Sequence, residues 1–240
     1  MPSPPSLLTP GDDPASDLIC RRTADLGLEL TSRFQTLITQ VAPFDPANPI
    51  SLGGQPERDL CTLCYAGAWF DGLYRTGDIH HERNQELRYA ASTSDDLDDM
   101  LTAIPPIAIT NMALLIHRAS NSDLANLRQH TAGTRLCIPG PCFAGSFDVG
   151  GADADLIADD LLLESKAHAN PAATACDTLR QLLGYLLLDY DDSYQIAQVG
   201  IYYGRHAHLI HWAIPDLLRA TGCSQGIIDL RLRCAKALQE

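Results

Sequence analysis

Apolar positions in the second half of the chain form two short runs that predict a β-hairpin. Leu156–Ala158 and Leu161–Leu163 are bounded by turn-forming or charged residues, as short buried strands are. An acidic dipeptide separates the runs, and aspartate tolerates the left-handed backbone that a two-residue hairpin loop requires. With this loop the runs pair residue for residue, and the next pair outward is Asp155 and Glu164. The pattern therefore predicts two opposed carboxylates at the open end of the hairpin.

The pattern after this hairpin predicts one helix and two further strands. Asn170-Pro171 pairs an N-cap residue with a first-turn proline, and the leucine-rich helix that it opens extends to about Tyr190. Tyr194–Tyr203 and His208–Ala213 are strand-like runs. This order predicts an α/β fold in which helices cover a mixed sheet. A short strand before the hairpin and two helices after the last strand complete this core: Thr134–Ile138, Pro215–Ala220 and about Gln225–Leu238.

The first half of the chain is predicted to be helical. Asp17–Val41 and Glu57–Tyr74 repeat apolar residues at helical spacing, and two or three shorter helices follow between Asp95 and His130. A loop containing Pro and Gly, at 42–56, joins the first two helices. The chain is therefore divided into a disordered tail at 1–15, a helical region at 16–132 and the sheet-containing core at 133–240. The helical region is expected to pack on the core, with an independent recognition module as the alternative.

The opposed carboxylates suggest a metal site. Asp155 and Glu164 would repel each other unless a cation lay between them. Oxygen ligands with room for water suit Mg²⁺. Strand alternation places Lys166 on the same face as Glu164, where an ammonium could position a water or stabilise charge on a phosphate. The alternative is an ordinary surface hairpin with acidic ends.

The helix after the hairpin carries a polar pair at helical spacing. Gln181 and Tyr185 are four residues apart and share one face. A glutamine at a semi-buried position of a leucine-rich helix needs a polar partner, which the edge of an active site would provide. The alternative is that Gln181 simply faces water.

Residues 141–213 resemble the PD-(D/E)xK nuclease superfamily, also called restriction-endonuclease-like. The Gln-x-x-x-Tyr helix after the Glu-x-Lys strand resembles its RecB-type and lambda-exonuclease-type branches, although Ala154 replaces the proline of the name motif. The resemblance implies a restriction-endonuclease-like mixed β-sheet core flanked by helices. It implies that Asp155, Glu164 and the backbone carbonyl of Ser165 ligate Mg²⁺, with Mn²⁺ as a substitute. It also implies the catalytic set Asp155, Glu164, Lys166, Gln181 and Tyr185.

The resemblance also sets out the expected function and its alternatives. The chain is expected to be a Mg²⁺-dependent nuclease that hydrolyses phosphodiester bonds in DNA, with RNA left open as substrate. Family members often add an acidic ligand from an upstream helix, for which Glu82 and Glu86 are candidates. One alternative is a catalytically silent nucleic-acid-binding or regulatory subunit with the same fold. Another is a cysteine-metal interaction module in which the acidic hairpin is incidental.

The net charge of −13 argues against a simple DNA-coating protein, since phosphate binding usually leaves a basic footprint. It suggests weak non-specific affinity, or help from a partner protein in binding the substrate. Four arginines could form a local basic strip, although scattered surface positions are the expectation: Arg180, Arg205, Arg231 and Arg233.

The cysteines and the apolar runs bear on the cellular compartment. Eight cysteines without a secretory signal favour reduced thiols. Cys61-x-x-Cys64 and the pair Cys137 and Cys142 resemble metal half-sites, but we expect the cysteines mostly to pack as small apolar residues. No apolar run reaches the roughly 20 residues that span a bilayer, so no membrane partner is expected. We therefore expect a cytoplasmic protein.

Overall fold

The computed structural model describes residues 14–41, 54–131 and 136–239. The chain divides into two compact units, Met1–Leu114 and Leu115–Glu240. The boundary lies inside a helix, whereas the sequence analysis placed it at 132–133. Residues 1–13 of the predicted disordered tail and residues 42–53 of the predicted loop lie outside the described residues.

The first unit is helical, as predicted. Its helices, the last of which continues into the second unit, are α1 (Pro14–Val41), α2 (Gln55–Thr76), α3 (Gln85–Thr93), α4 (Leu97–Thr102) and α5 (Pro106–Ser120). The apolar core contains Leu26, Leu63, Leu87 and Met100. Gly77 ends α2 because its left-handed backbone (φ 66°) directs its N–H to the Leu73 carbonyl.

The second unit contains a mixed sheet with helices, which confirms the predicted α/β class. In the described residues the strands are β1 (Cys137–Pro139), β2 (Leu156–Ala158), β3 (Leu161–Lys166), β4 (Gln198–Tyr203) and β5 (His208–Ala213). The helices are α6 (Asp123–Thr131), α7 (Ala175–Leu188), α8 (Ile214–Ala220) and α9 (Ile227–Gln239). The sheet order is β1-β2-β3-β4-β5. Among these described strands the β3–β4 pair is the only parallel one, and α7 lies between its two strands in the chain.

The hairpin register is the predicted one. Leu156 pairs with Leu163, and the next two positions inward also pair residue for residue. Asp159 adopts the left-handed backbone that the tight loop requires, with φ 60°. The register therefore brings Asp155 beside Glu164.

The starts of the helix after the hairpin and of the strand that follows this helix differ from the predictions. Asn170 makes no side-chain capping bond, and a 3₁₀ turn at Pro171–Ala173 precedes α7. The strand predicted from Tyr194 begins only at Gln198, because Gln195 takes a left-handed backbone (φ 52°) that an extended strand excludes.

Helix α7 is held by apolar packing on one side and by a buried ion pair at its end. Leu182 and Leu186 are buried in the same core as Ile157 and Val199 of the sheet. Burial of each such side chain stabilises the fold by about 1.5–3 kcal/mol. This packing fixes the helix face that carries Gln181 and Tyr185.

Arg231 of α9 fastens the C-terminal end of α7. Only 2% of Arg231 is exposed, and it donates to the Leu186 carbonyl at 2.8 Å and to Asp189 at 3.0 Å. It also donates to Asp192.

Within the described ranges, no helix is long and apolar enough to cross a bilayer.

Candidate active site

The two carboxylates of the hairpin lie next to each other, as predicted. Asp155 is exposed just before β2, whereas Glu164 lies in β3 with only 3% of its surface exposed. Oδ2 of Asp155 accepts a hydrogen bond from the backbone amide of Ser165 at 2.6 Å. This bond holds the Asp155 carboxylate against the strand that carries Glu164.

The two carboxylate oxygens of Glu164 differ in their hydrogen bonds. Oε1 accepts a hydrogen bond from Lys166 Nζ at 2.6 Å. Oε2 is buried and has no hydrogen-bond partner among the described residues. Burial raises the pKa of the Glu164 carboxyl, and the negative charge of Asp155 raises it further. The hydrogen bond from Lys166 lowers this pKa. The backbone of Asp155 also lowers this pKa.

Lys166 connects the strand to helix α7. Its Nζ donates to Glu164 Oε1 and, at 3.0 Å, to Gln181 Oε1. Gln181 Nε2 in turn donates to the Tyr185 hydroxyl at 2.7 Å. Gln181 therefore has polar partners, although the residue is exposed rather than semi-buried as the sequence analysis expected. Four predicted residues thus form one continuous chain of hydrogen bonds.

Tyr185 is the buried end of this chain. It is 9% exposed and its ring stacks on Phe143, with the centroids 5.6 Å apart. Burial raises the pKa of the Tyr185 hydroxyl, and the negative charges of Glu164, Asp153 and Asp155 raise it further. The hydroxyl therefore stays protonated.

Phe143 and Asp153 are site residues that the sequence analysis missed. Asp153 forms an isolated antiparallel bridge with Cys142, and its charge reaches Tyr185. The two-residue spacing from Asp153 to Asp155 was a usable signal, since alternate residues of an extended segment share one face. No sequence signal identified Phe143, because its stacking partner lies in a different element.

The donor atoms of the site fit a hard divalent cation. Glu164 Oε2 is a buried anionic oxygen without a hydrogen-bond partner in the described structure, and the Asp155 carboxylate is its neighbour. Mg²⁺ usually takes one or two carboxylates and keeps several waters. Among the described side chains, no three His, Cys, Asp or Glu converge on one point, so a cage made entirely of protein ligands is absent there. The role of the Ser165 carbonyl as a further ligand stays a prediction.

The two upstream glutamates belong to the first unit. Glu86 accepts a hydrogen bond from Trp69 Nε1 at 2.8 Å, and Glu82 begins a 3₁₀ turn. The role of either as an additional metal ligand stays a prediction.

The cysteines of the first predicted metal half-site are core residues. Cys61 is buried in α2, and Cys64 is partly buried one turn later. Burial raises the pKa of both thiols, which disfavours the thiolate that a metal would need. The other pair, Cys137 and Cys142, is exposed.

No protein-family model, curated protein or solved structure in the comparisons with known proteins matches this chain. The geometry of the carboxylate and lysine cluster is therefore the basis on which a function is proposed.

Proposed function

We propose that this chain is a Mg²⁺-dependent nuclease that hydrolyses phosphodiester bonds in DNA. One observation carries the proposal. Glu164 presents a buried carboxylate oxygen with no hydrogen-bond partner in the described structure, next to Asp155 and on the same face as Lys166. A buried charge is costly unless it is paired or binds a metal, so this oxygen is well suited to a cation.

We further propose that the second unit has the restriction-endonuclease-like fold, in its RecB-type or lambda-exonuclease-type branch. The support is the element order around the site. An antiparallel hairpin carries Asp155, Glu164 and Lys166, helix α7 carries Gln181 and Tyr185, and a strand parallel to β3 follows. The resemblance implied this order.

In this proposal Asp155, Glu164 and the Ser165 carbonyl hold Mg²⁺, for which Mn²⁺ substitutes. When bound, the ion supplies a more acidic water and stabilises negative charge on the phosphate. Lys166 acts as a fixed positive charge beside the scissile phosphate. Gln181 orients Lys166 because its carbonyl oxygen accepts a hydrogen bond from the ammonium, and Tyr185 fixes the amide of Gln181.

The test is cleavage of linear and circular DNA by the purified chain with and without Mg²⁺. Asp155→Ala and Glu164→Gln should each abolish Mg²⁺-dependent cleavage. Asp216→Ala is a matched control, because this exposed acid of α8 pairs only with Arg219 on its own helix in the described contacts. Full cleavage by both site variants would disprove the proposal.

The same assay addresses the open alternatives. Binding of DNA without cleavage, unaffected by Mg²⁺, would favour a catalytically silent subunit with this fold. Cleavage of RNA but not of DNA would identify RNA as the substrate and would leave the proposed site unchanged. Cleavage that requires an added partner protein would agree with the net charge of −13, which weakens attraction to a polyanion.

A further inference from the structure

Two arginines of the second unit lie at the end of the sheet that carries the site. Lys166 is the last residue of β3 and pairs with Tyr203, the last residue of the parallel strand β4. Arg205 follows in the 3₁₀ turn directly after β4. The carboxyl ends of parallel strands meet at one edge, and neighbouring strands are about 4.8 Å apart. Arg205 therefore lies at the same edge as Lys166, one strand further on.

Backbone carbonyls, rather than carboxylates, hold these arginines. Arg205 Nε donates to the Ala167 carbonyl at 2.6 Å, in the loop that follows Lys166. Arg118 Nη1 donates to the Arg205 carbonyl at 2.7 Å. Both residues are exposed, and neither takes part in an ion pair within the described part of the chain. Their positions are therefore fixed, and no carboxylate of the described residues neutralises their charges.

Of the other three arginines considered for a basic strip, two have acidic partners and one bonds to a neutral side chain. Arg180 pairs with Asp177 at 2.8 Å, and Arg231 is buried against Asp189. Arg233 donates to Gln225. Of the four, Arg205 alone combines exposure, a fixed position beside the site and the absence of an acidic partner among the described residues. In a chain of net charge −13 this placement is informative, because most of the surface repels a polyanion.

We propose that Arg205 and Arg118 form a phosphate-binding pair that holds the sugar–phosphate backbone next to the bond being cut. The inference rests on the proposed nuclease function and adds the path of the substrate. A guanidinium that gives one N–H to a carbonyl keeps four N–H donors, arranged to bind a phosphate through two of them. The backbone then runs across the ends of β2, β3 and β4, from Asp155 past Lys166 to Arg205.

The test measures kcat and KM for a DNA substrate in Mg²⁺ over a series of salt concentrations. Arg205→Ala should raise KM about tenfold, the loss expected for one charge-assisted hydrogen bond, with little change in kcat. The slope of log(kcat/KM) against log[salt] should become shallower by about one. Arg118→Ala should act in the same direction. Arg205→Lys keeps the charge and should retain most of the salt slope.

Arg219→Ala is the matched control, since this exposed arginine of α8 is paired with Asp216. Identical behaviour of Arg205→Ala and Arg219→Ala would overturn the inference. Equal losses of kcat in Arg205→Ala and Arg205→Lys, with an unchanged salt slope and lower melting temperatures, would overturn it too. In that case Arg205 would only stabilise the loop at Ala167, through its hydrogen bond to the backbone. Absence of cleavage by the wild-type chain would remove the proposed function itself, and the wild-type measurement reveals that failure separately.

Discussion

The ammonium of Lys166 lies 2.6 Å from Oε1 of Glu164, so the proposed catalytic lysine and a proposed metal ligand form an ion pair in the structure. A cation bound at Glu164 would share this carboxylate with Lys166. In the proposed site, the lysine would therefore weaken metal binding electrostatically while it supplies a positive charge for a phosphate.

Lys166→Ala should separate these two effects. Loss of a positive charge beside the carboxylates should leave Mg²⁺ affinity unchanged or tighten it modestly. Turnover should fall by about 10²-fold or more, the scale for removing one preorganised electrostatic group. Calorimetric titration with Mg²⁺ or Mn²⁺, paired with a cleavage assay, measures both. Wild-type cleavage by this variant would mean that Lys166 has no catalytic role.

Glu164→Gln should change how stability depends on pH in the metal-free protein. Burial raises the folded-state pKa of Glu164 above its value in the unfolded chain. Stability linked to this carboxyl is therefore fully present below the unfolded pKa and is lost as pH rises through the folded one. Glutamine cannot ionise, so the variant should become more stable relative to the wild type as the pH rises from the unfolded pKa to the folded pKa of Glu164. The difference in stability between the two proteins should change only above the unfolded pKa, because below it both side chains are neutral.

The measurement is urea unfolding of both proteins over a pH series in the presence of a chelator. The difference between the two curves isolates this carboxyl, because the other titrating groups are common to both. If the unfolding free energies of the two proteins differ by the same amount at every pH, ionisation of Glu164 carries no cost of burial. Saturating Mg²⁺ should stabilise the wild type at neutral pH far more than the variant.

Gly145→Ala should destabilise the loop that carries Phe143. A Cβ at this position would overlap the Tyr190 ring, whose hydroxyl donates to Asp148 at 3.1 Å. We expect a loss of about 1–3 kcal/mol, as for other overpacking substitutions. In a Tyr190→Ala background the same substitution should cost little, because the clashing ring is absent. A double-mutant cycle by chemical denaturation measures this coupling, and strictly additive effects would contradict the close contact.

Arg231→Ala should be among the most destabilising single changes in the second unit. It leaves the buried Asp189 without its guanidinium partner at 3.0 Å and removes the link from α9 to α7. Burial raises the pKa of Asp189 and Arg231 opposes this shift, so the variant should raise that pKa further. The expected cost is about 3–5 kcal/mol. Arg233→Ala, two residues on and exposed, should stay within about 0.5 kcal/mol of wild type in the same denaturation experiment.

Local periodicity predicted the parts of the site that depend on near neighbours in the chain. Strand alternation and a two-residue loop placed Asp155 beside Glu164 and put Lys166 on the same face. Helical spacing paired Gln181 with Tyr185. These relationships follow from backbone geometry, so the chain alone reveals them.

Contacts between distant segments escaped prediction for the opposite reason. Arg231 looked like a surface arginine because arginine is rarely buried, and its partner Asp189 lies 42 residues earlier. Tyr194 looked like the start of a strand, but its hydroxyl bonds to the Cys142 carbonyl in another segment at 2.7 Å. The position of Arg205 beside Lys166 depends on the parallel pairing of β3 and β4, which the pattern of apolar residues does not specify.

The crossover from β3 through α7 to β4 has a consequence for folding. Asp155, Glu164, Lys166, Gln181 and Tyr185 all belong to one uninterrupted stretch of chain, so the loops that must close to assemble them are short. Short loops lose little entropy on closure, and contacts of low sequence separation favour fast folding. We therefore expect the proposed catalytic cluster to form as a local event, and the Arg231 contacts, which must close a longer loop, to form later.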